Sequence, residues 1–315
     1  MLFSIGSFNL RNLSLPGHEI YPDLSYTKEE YEAKLSWSRH QLVRMNADIV
    51  GFQEIFQQEA LAELCAEEYG KNRPIVLNDQ DNKPRVGLVS RFPIESYRSF
   101  VEFPEECKNE EFSEFRRPPL EAIIRLPNNT LLRVLVIHLK SKRPLFVDGE
   151  RSKNLNHIAQ ATARSLRCRT AEALAIRKLA ITDLSKPTLI IGDFNDTATS
   201  VTTNIILGPK PRHGLPHEEK QLFWRSKFTS VSDDHLKRSL RDTTYTHIHN
   251  GYYESIDHIV YSDHFSRKNQ RKIGKSVYLH FFNDHVIDQS QGRVRMSRET
   301  SDHGQLVATF LVHNK

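Results

Sequence analysis

Four apolar, strand-like runs in this 315-residue chain each stop at a residue able to bind a cation or a phosphate. Ser4-Ile5-Gly6-Ser7-Phe8 ends at Asn9, and Ala47-Asp48-Ile49-Val50-Gly51-Phe52-Gln53 ends at Glu54. Val134-Leu135-Val136-Ile137 ends at His138, with Lys140 and Lys142 beyond, and Leu189-Ile190-Ile191-Gly192 ends at Asp193, followed by Asn195. Two carboxylate–imidazole pairs come later: Asp257-His258 at the head of an apolar run, and Asp302-His303 directly before the last one. Carboxylate and amide oxygens suit a hard divalent cation, imidazole moves protons near neutrality, and ligands collect at the carboxyl ends of strands in open α/β sheets. Each piece is weak alone. Asp-His occurs at 234-235, 257-258, 263-264, 284-285 and 302-303, and an isolated Glu54, His138 or Asn9 reads as a surface carboxylate, a core histidine or a turn residue. Their joint placement at strand ends carries the signal.

Positioning such groups takes strands in register and helices to cover them. Strand-length apolar runs recur at Leu2–Leu10, Ile49–Gln53, Ile75–Leu77, Val86–Ser90, Ile94–Phe100, Leu120–Leu126, Leu131–Leu139, Thr188–Asp193, Ile256–Tyr261 and Leu306–Val312. Within Leu131–Leu139, period two puts Leu132, Val134, Val136 and His138 on one face and Arg133, Leu135, Ile137 and Leu139 on the other. Asn128-Asn129 reads as a hairpin turn. Lys28–Asn46 reads as a helix, with Thr27 as cap and Glu30 completing a capping box. Asn156–Leu184 and Gln57–Tyr69 read as two more helices. Asn12–Tyr26 and Thr199–Ser239 read as long surface loops, a class that tends to be functional or mobile. Strands and helices interleave throughout, without repeats or linkers, which predicts one α/β domain over residues 1–315.

Composition agrees. Hydrophobic residues make up 38% and charged residues 26%, with 13 Gly and 14 Pro, which excludes disordered and fibrous classes. No apolar run is long enough to span a membrane, and Met1-Leu2-Phe3-Ser4-Ile5 lacks the basic start of a signal peptide. Cys65, Cys107 and Cys168 are scattered and odd in number, against a disulfide framework or a cysteine zinc site. The expectation is a reducing, cytoplasmic setting. A net charge of +5 suits a polyanionic partner.

In order, Ser7-Phe8-Asn9-Leu10, Gly51-Phe52-Gln53-Glu54, His138-Leu139-Lys140-Ser141, Gly192-Asp193-Phe194-Asn195, Ile256-Asp257-His258-Ile259 and Ser301-Asp302-His303 give the chain a specific likeness. It resembles the endonuclease/exonuclease/phosphatase superfamily, divalent-metal phosphodiesterases that include deoxyribonuclease I and the abasic-site endonucleases. The resemblance implies a four-layer sandwich of two mixed, mainly antiparallel β-sheets flanked by α-helices. It implies Mg²⁺ or Mn²⁺ held by Glu54 with Asn9 and Asp302, since all-oxygen ligation disfavours zinc. By the same resemblance Asp193 activates water and Asn195 holds that water or the phosphate. His303, backed by Asp257, donates to a non-bridging oxygen, His138 contacts the phosphate or leaving oxygen, and Arg116 binds phosphate. In deoxyribonuclease I-like members an upstream carboxylate partners the first histidine. Lys83-Pro84-Arg85-Val86-Gly87-Leu88 has none, which argues against His138 as a general acid.

Lys140, Lys142, Arg143, Arg151 and Lys153 form one basic cluster. Arg267, Lys268, Arg271, Lys272 and Lys275 form a second, and Arg293, Arg295 and Arg298 lead into Asp302. Such a rim would attract nucleic acid, DNA more than RNA, with Lys140 and Lys142 on the substrate. Tyr245, Tyr252, Tyr253, Phe223 and Trp224 could stack on bases or serve the core. The chain is expected to act as a monomer without a membrane partner. Two other readings stay open: a phosphatase or phosphodiesterase for a small-molecule or lipid phosphate ester, and a non-catalytic nucleic-acid-binding module. A zinc site at His247-Ile248-His249 has too few ligands to favour.

Overall fold

Leu132, Val134 and Val136 point into a core between two β-sheets, while Leu135, Ile137 and Leu139 pack beneath helices on the outer face. That is the period-two division expected of a strand buried on both sides. The computed structural model describes residues 1–22, 24–70, 72, 74–76, 83–236, 244–290 and 297–313. Leu77, Arg293, Arg295 and the last three residues of the expected 199–239 loop lie outside the described residues.

The first half of the chain runs β1 (Leu2–Leu13), α1 (Lys28–Met45), β2 (Ile49–Ile55), α2 (Gln58–Tyr69), β3 (Ile75–Val76), β4 (Arg85–Ser90), β5 (Ile94–Ser99), β6 (Leu120–Arg125) and β7 (Leu131–His138). It continues with α3 (Leu155–Ile181), β8 (Thr188–Asp193), α4 (Val201–Leu207), α5 (His217–Arg225), β9 (Thr229–Ser230) and α6 (Val231–Leu236). Then come β10 (His247–His249), β11 (Tyr252–Glu254), β12 (Asp257–Tyr261), β13 (Gly274–Phe282) and β14 (Gln305–Val312). One six-stranded sheet has the order β13-β14-β1-β2-β4-β3, and the other β5-β6-β7-β8-β12-β9. Both are mixed: β1–β2 and β7–β8 are parallel, and the remaining pairs are antiparallel.

Phe3, Ile5, Ile49 and Leu88 of the first sheet meet Val134, Val136, Ile191 and Ile259 of the second. Tyr31, Leu35, Leu42 and Met45 of α1 and Leu61 and Leu64 of α2 cover the first sheet's outer face. Ala173, Ile176 and Ala180 of α3 and Ile206 of α4 cover that of the second, completing four layers.

Local signals explain the helix ends. Thr27 Oγ1 accepts from Glu30 N (3.2 Å) while Thr27 N donates to Glu30 Oε2 (2.9 Å), a reciprocal cap of the kind that contributes about 1 kcal/mol. Asn46 closes α1 in the left-handed region at φ 40°. Asn129, at φ 63°, turns β6 into β7.

Two expectations need correction. Residues 199–239 are not one loop: α4, α5, β9 and α6 fall inside them. Ser200 Oγ caps α4 through Thr203 N (3.2 Å) and Gly208, at φ 80°, ends it, but α5 buries no residue and so shows no apolar face in the sequence. β13 was not anticipated either, because exposed Lys275, Tyr278 and His280 interrupt its apolar pattern at a sheet edge. Cys65, Cys107 and Cys168 are free and buried, and among the described residues no helix is long and apolar enough to cross a membrane.

Candidate active site

Topology brings the acidic blocks to one place. Parallel pairing sets Asn9 beside Gln53, so Glu54 emerges next to Asn9 at the carboxyl ends of β1 and β2. In the second sheet the parallel pair β7–β8 sets His138 beside Asp193, and antiparallel β12 sets its first residue, Asp257, on Asp193's other side. β14 runs antiparallel to β1, with Leu306 opposite Ser7, so Asp302 and His303 precede it at the same end. Ser301 Oγ fastens that approach, donating to Asn9 O (2.6 Å) and accepting from His303 N (3.0 Å).

Backbone irregularities aim the side chains. Glu54 sits at φ 61°, where β2 slips register against β4, a bulge that turns its carboxylate toward Asn9 and His138. Asn195 also occupies the left-handed region, at φ 53°, and such strained residues gather at functional sites. Gly192, at φ 136°, leaves room for β7: a Cβ there would lie 2.0 Å from Ile137 O.

Asp193 is the hub. Its Oδ1 accepts from Asn195 N (2.7 Å), and its Oδ2 accepts from Asn195 Nδ2 (3.2 Å) and Asn9 Nδ2 (3.3 Å). His138 Nε2 is 3.3 Å from Oδ2, and His303 Nε2 is 3.9 Å from it. His303 Nδ1 lies 2.9 Å from Asp257 Oδ2. Ligand atoms of Asp193, Asp257 and His303 all lie within 4.8 Å of one another. Asn9 Nδ2 also reaches Glu54 Oε1 (3.4 Å), while its Oδ1 accepts from Arg11 N (2.9 Å), so the expected metal-binding amide ties two carboxylates together. Asp302 is partly exposed, 3.9 Å from Arg11 Nε.

Burial pushes the Asp193 carboxyl up to about 7, and the negative charges of Asp257 and Glu54 add to this against the pull of His303. Burial also opposes a charge on His303, but Asp257, Asp193 and Asp302 outweigh it and hold the imidazole well above its ordinary range. His138 goes the other way, held well below by burial and then by the charges of Arg117, His303 and Lys140. One cationic and one neutral imidazole therefore flank the same carboxyl group. His138 Nδ1 is buried without a hydrogen-bond partner among the described residues, in keeping with the missing upstream carboxylate.

Three residues expected to contact substrate have partners within the protein. Lys140 is buried, and its Nζ donates to Ser141 O (2.8 Å) and Arg143 O (2.7 Å), which shapes its own loop. Lys142 pairs with Glu254 at 3.0 Å. Arg116 is exposed and joins the scaffold through its N–H on Glu172 Oε1 (3.1 Å), whereas its neighbour Arg117 donates from Nη1 to Leu139 O (3.2 Å) beside His138. Adjacent arginines carry no sequence mark of which one faces inward. His247 was also missed as a neighbour of the site: its ring lies 5.3 Å from that of His303.

Buried Glu172, on α3, accepts from Lys140 N (2.6 Å) as well as from Arg116 N. One turn earlier Arg169 donates to Lys140 O (3.2 Å) and pairs with Asp196 (3.3 Å), and Ser165 Oγ donates to Ser141 O (2.7 Å). One stripe of α3 thus anchors three loops of the site, at helical spacing that put these residues on a single face.

The chain belongs to the Endonuclease/Exonuclease/phosphatase family, whose sequence profile matches residues 7–303. Members of that family hydrolyse phosphoric esters. Among similar solved structures is a humanized TDP2 from D. rerio with 14 mutations, 15% identical, covering 99% of each chain at a TM-score of 0.58. An endonuclease/exonuclease/phosphatase from Bacteroides vulgatus is 14% identical over 99% of this chain and 100% of its own, with a TM-score of 0.59. An AP endonuclease from Archaeoglobus fulgidus is 14% identical over 97% of this chain and 98% of its own, with a TM-score of 0.55. At these identities the likeness establishes the fold. No curated protein matches the sequence significantly.

Proposed function

We propose that this protein is a divalent-metal-dependent phosphodiesterase that hydrolyses nucleic-acid phosphodiester bonds, DNA rather than RNA, with Mg²⁺ as the ion and Mn²⁺ as a substitute. The observation that carries the reading is a pairing of opposite roles. His303, backed by Asp257, is a cationic donor, and 3.9 Å away Asp193 is a carboxyl poised near neutrality. One group can take a proton while the other meets growing negative charge, which phosphodiester hydrolysis demands.

The donor set fits a hard dication. Glu54 has no lysine or arginine within ion-pair distance among the described residues, and it shares the site with Asp193, Asp257 and Asp302. Such an excess of carboxylate oxygen without a thiolate suits Mg²⁺ or Mn²⁺ and not zinc. Glu54 would hold the ion with Asp302, and Asn9 would position Glu54. A bound ion would supply Lewis acidity and neutralise the phosphate.

The chain's own groups do the rest. Asp193 Oδ2 takes the proton of the attacking water as the water oxygen bonds to phosphorus and the bond from phosphorus to the leaving oxygen breaks, the leaving oxygen taking its proton from solvent; Asn195 fixes the carboxylate and borders that water. His303 Nε2–H donates to a non-bridging oxygen, with Asp257 holding the proton on Nδ1. Neutral His138 contacts the phosphate or leaving oxygen through Nε2. Arg117, held by Leu139 O (3.2 Å) beside His138, sets a cation at the edge of the acidic site. The likeness to an AP endonuclease and to TDP2 supports nucleic acid as the substrate.

The test is a substrate panel with Mg²⁺: supercoiled plasmid, linear duplex, single strand, abasic oligonucleotide, RNA and simple phosphate esters. DNA cleavage abolished by chelator and restored by Mg²⁺ or Mn²⁺ is expected. Cleavage that survives excess chelator, or turnover of simple esters alone, would overturn the proposal.

A further inference from the structure

A cavity lies at the other end of β12 from the catalytic groups. Asp257 begins that strand and Tyr261 ends it, about 14 Å apart at the rise of an antiparallel strand. Tyr261 lines an open trough of about 1170 Å³, walled by α5, by residues 207–213 and by the segment after β12. Leu207 and Phe228 add to its apolar lining.

Its charge is one-sided. Six lysines and arginines line it against three aspartates, Asp233, Asp234 and Asp263. Among the described residues Lys210, Arg212, Lys220, Arg267 and Lys268 have no carboxylate within ion-pair distance. Several cations elsewhere are paired, as Lys108 is with Glu102, Arg125 with Glu95 and Arg167 with Glu111. Unpaired cations facing one concavity raise the local concentration of anions.

Trp224 supplies the other half of a recognition site. His217 meets the indole edge-on at 5.8 Å, and Lys268 Nζ lies 5.8 Å from its ring centroid. The indole Nε1 is buried with no acceptor among the described residues, although a buried indole N–H ordinarily finds one. An aromatic surface beside a set of cations without ion-pair partners is complementary to a flat heteroaromatic base joined to phosphate.

We infer that this trough is a nucleotide-binding site, with the base against Trp224 and phosphate on Lys220, Arg267 and Lys268. The nucleotide is either free or one unit of a single strand. The site stands apart from the proposed hydrolysis and does not depend on it.

The experiment reads Trp224 fluorescence in a Trp37→Phe chain with chelator present, titrated with an octathymidylate or with a mononucleotide. Should that variant not fold, the unmodified chain is titrated with Trp224→Phe subtracted. A saturable quench is expected, weakened about tenfold or more by Lys220→Glu with Lys268→Glu, as two phosphate contacts are lost. Turnover of a small chromogenic diester stays unchanged in that double variant. A quench by the octamer alone assigns a strand, and an equal quench by the mononucleotide assigns a free nucleotide. No quench by either, or one that survives charge reversal, overturns the inference.

Discussion

His303 Nδ1 and Asp257 Oδ2 lie 2.9 Å apart across 46 residues of chain, both side chains buried. The contact unites the two sheets, because Asp257 opens a strand of one and His303 leads into a strand of the other. It also holds a proton on Nδ1 and favours the imidazolium, whose second N–H, on Nε2, faces Asp193. A carboxylate with that role acts through the histidine and does not touch phosphate itself.

Asp257→Asn keeps the size of the side chain but removes the charge that sustains the imidazolium. The expected loss is about 10²–10⁴-fold in kcat, with little change in KM for DNA or in melting temperature. Steady-state kinetics beside a thermal melt check it. A kcat within a few-fold of the unaltered chain would place His303 outside the reaction.

Glu172 acts at one remove, through the backbone of Arg116 and Lys140. Glu172→Ala strands the buried N–H of Lys140 and the part-buried N–H of Arg116 and loosens the loops that carry His138 and Arg117, so kcat should drop about 10–100-fold as alignment is lost. Glu172→Gln retains one acceptor and should recover part of that. If both variants lose melting temperature in proportion but keep full kcat, the residue is purely structural.

For Lys140 the prediction follows its three-fold tie to its own loop. Lys140→Ala should lower thermal stability and kcat, while the salt dependence of DNA binding stays as it was, since no phosphate contact is lost. Lys142→Ala, at the exposed pair with Glu254, should leave stability within about 0.5 kcal/mol. A flatter salt slope in Lys140→Ala would return that ammonium to the substrate surface.

These cases mark where the sequence was legible. Strands β1, β2, β7 and β8 announce themselves because burial on both faces demands unbroken apolar runs, and a carboxylate or imidazole ending such a run stands out. Glu54, Asp193 and His138 were visible for that reason, and the structure brings His138 Nε2 within 4.0 Å of Glu54 and 3.3 Å of Asp193. Direction was not visible. Lys140 and Lys142, or Arg116 and Arg117, differ only in which way a loop turns them, a tertiary property. Glu172 hides among the polar residues of a 27-residue helix, where nothing local distinguishes a carboxylate that anchors loops from one that faces water. The edge strand β13 escapes because its exposed face is polar.

Lys34 gives a prediction in pH. It is fully buried on α1, its Nζ donating to Arg298 O (3.2 Å) and standing 5.6 Å from the Tyr26 ring centroid. Burial and then Arg11 lower its pKa to about 7, with Arg298 adding to this and Asp302 and Glu54 opposing. The unfolded chain keeps an ordinary lysine near 10.5, so between pH 7 and 10 it binds the proton that the folded chain releases. Stability attributable to this group therefore rises with pH across that window, and the penalty is complete below it. Lys34→Met fills the same space without a charge. Without added metal it should raise stability at pH 7 by about 1–4 kcal/mol and flatten the rise toward pH 10. Denaturant unfolding of both chains at pH 6, 8 and 10 measures the difference. An unchanged slope in Lys34→Met would mean that the ammonium stays protonated in the folded state, kept so by the carboxylates of the site.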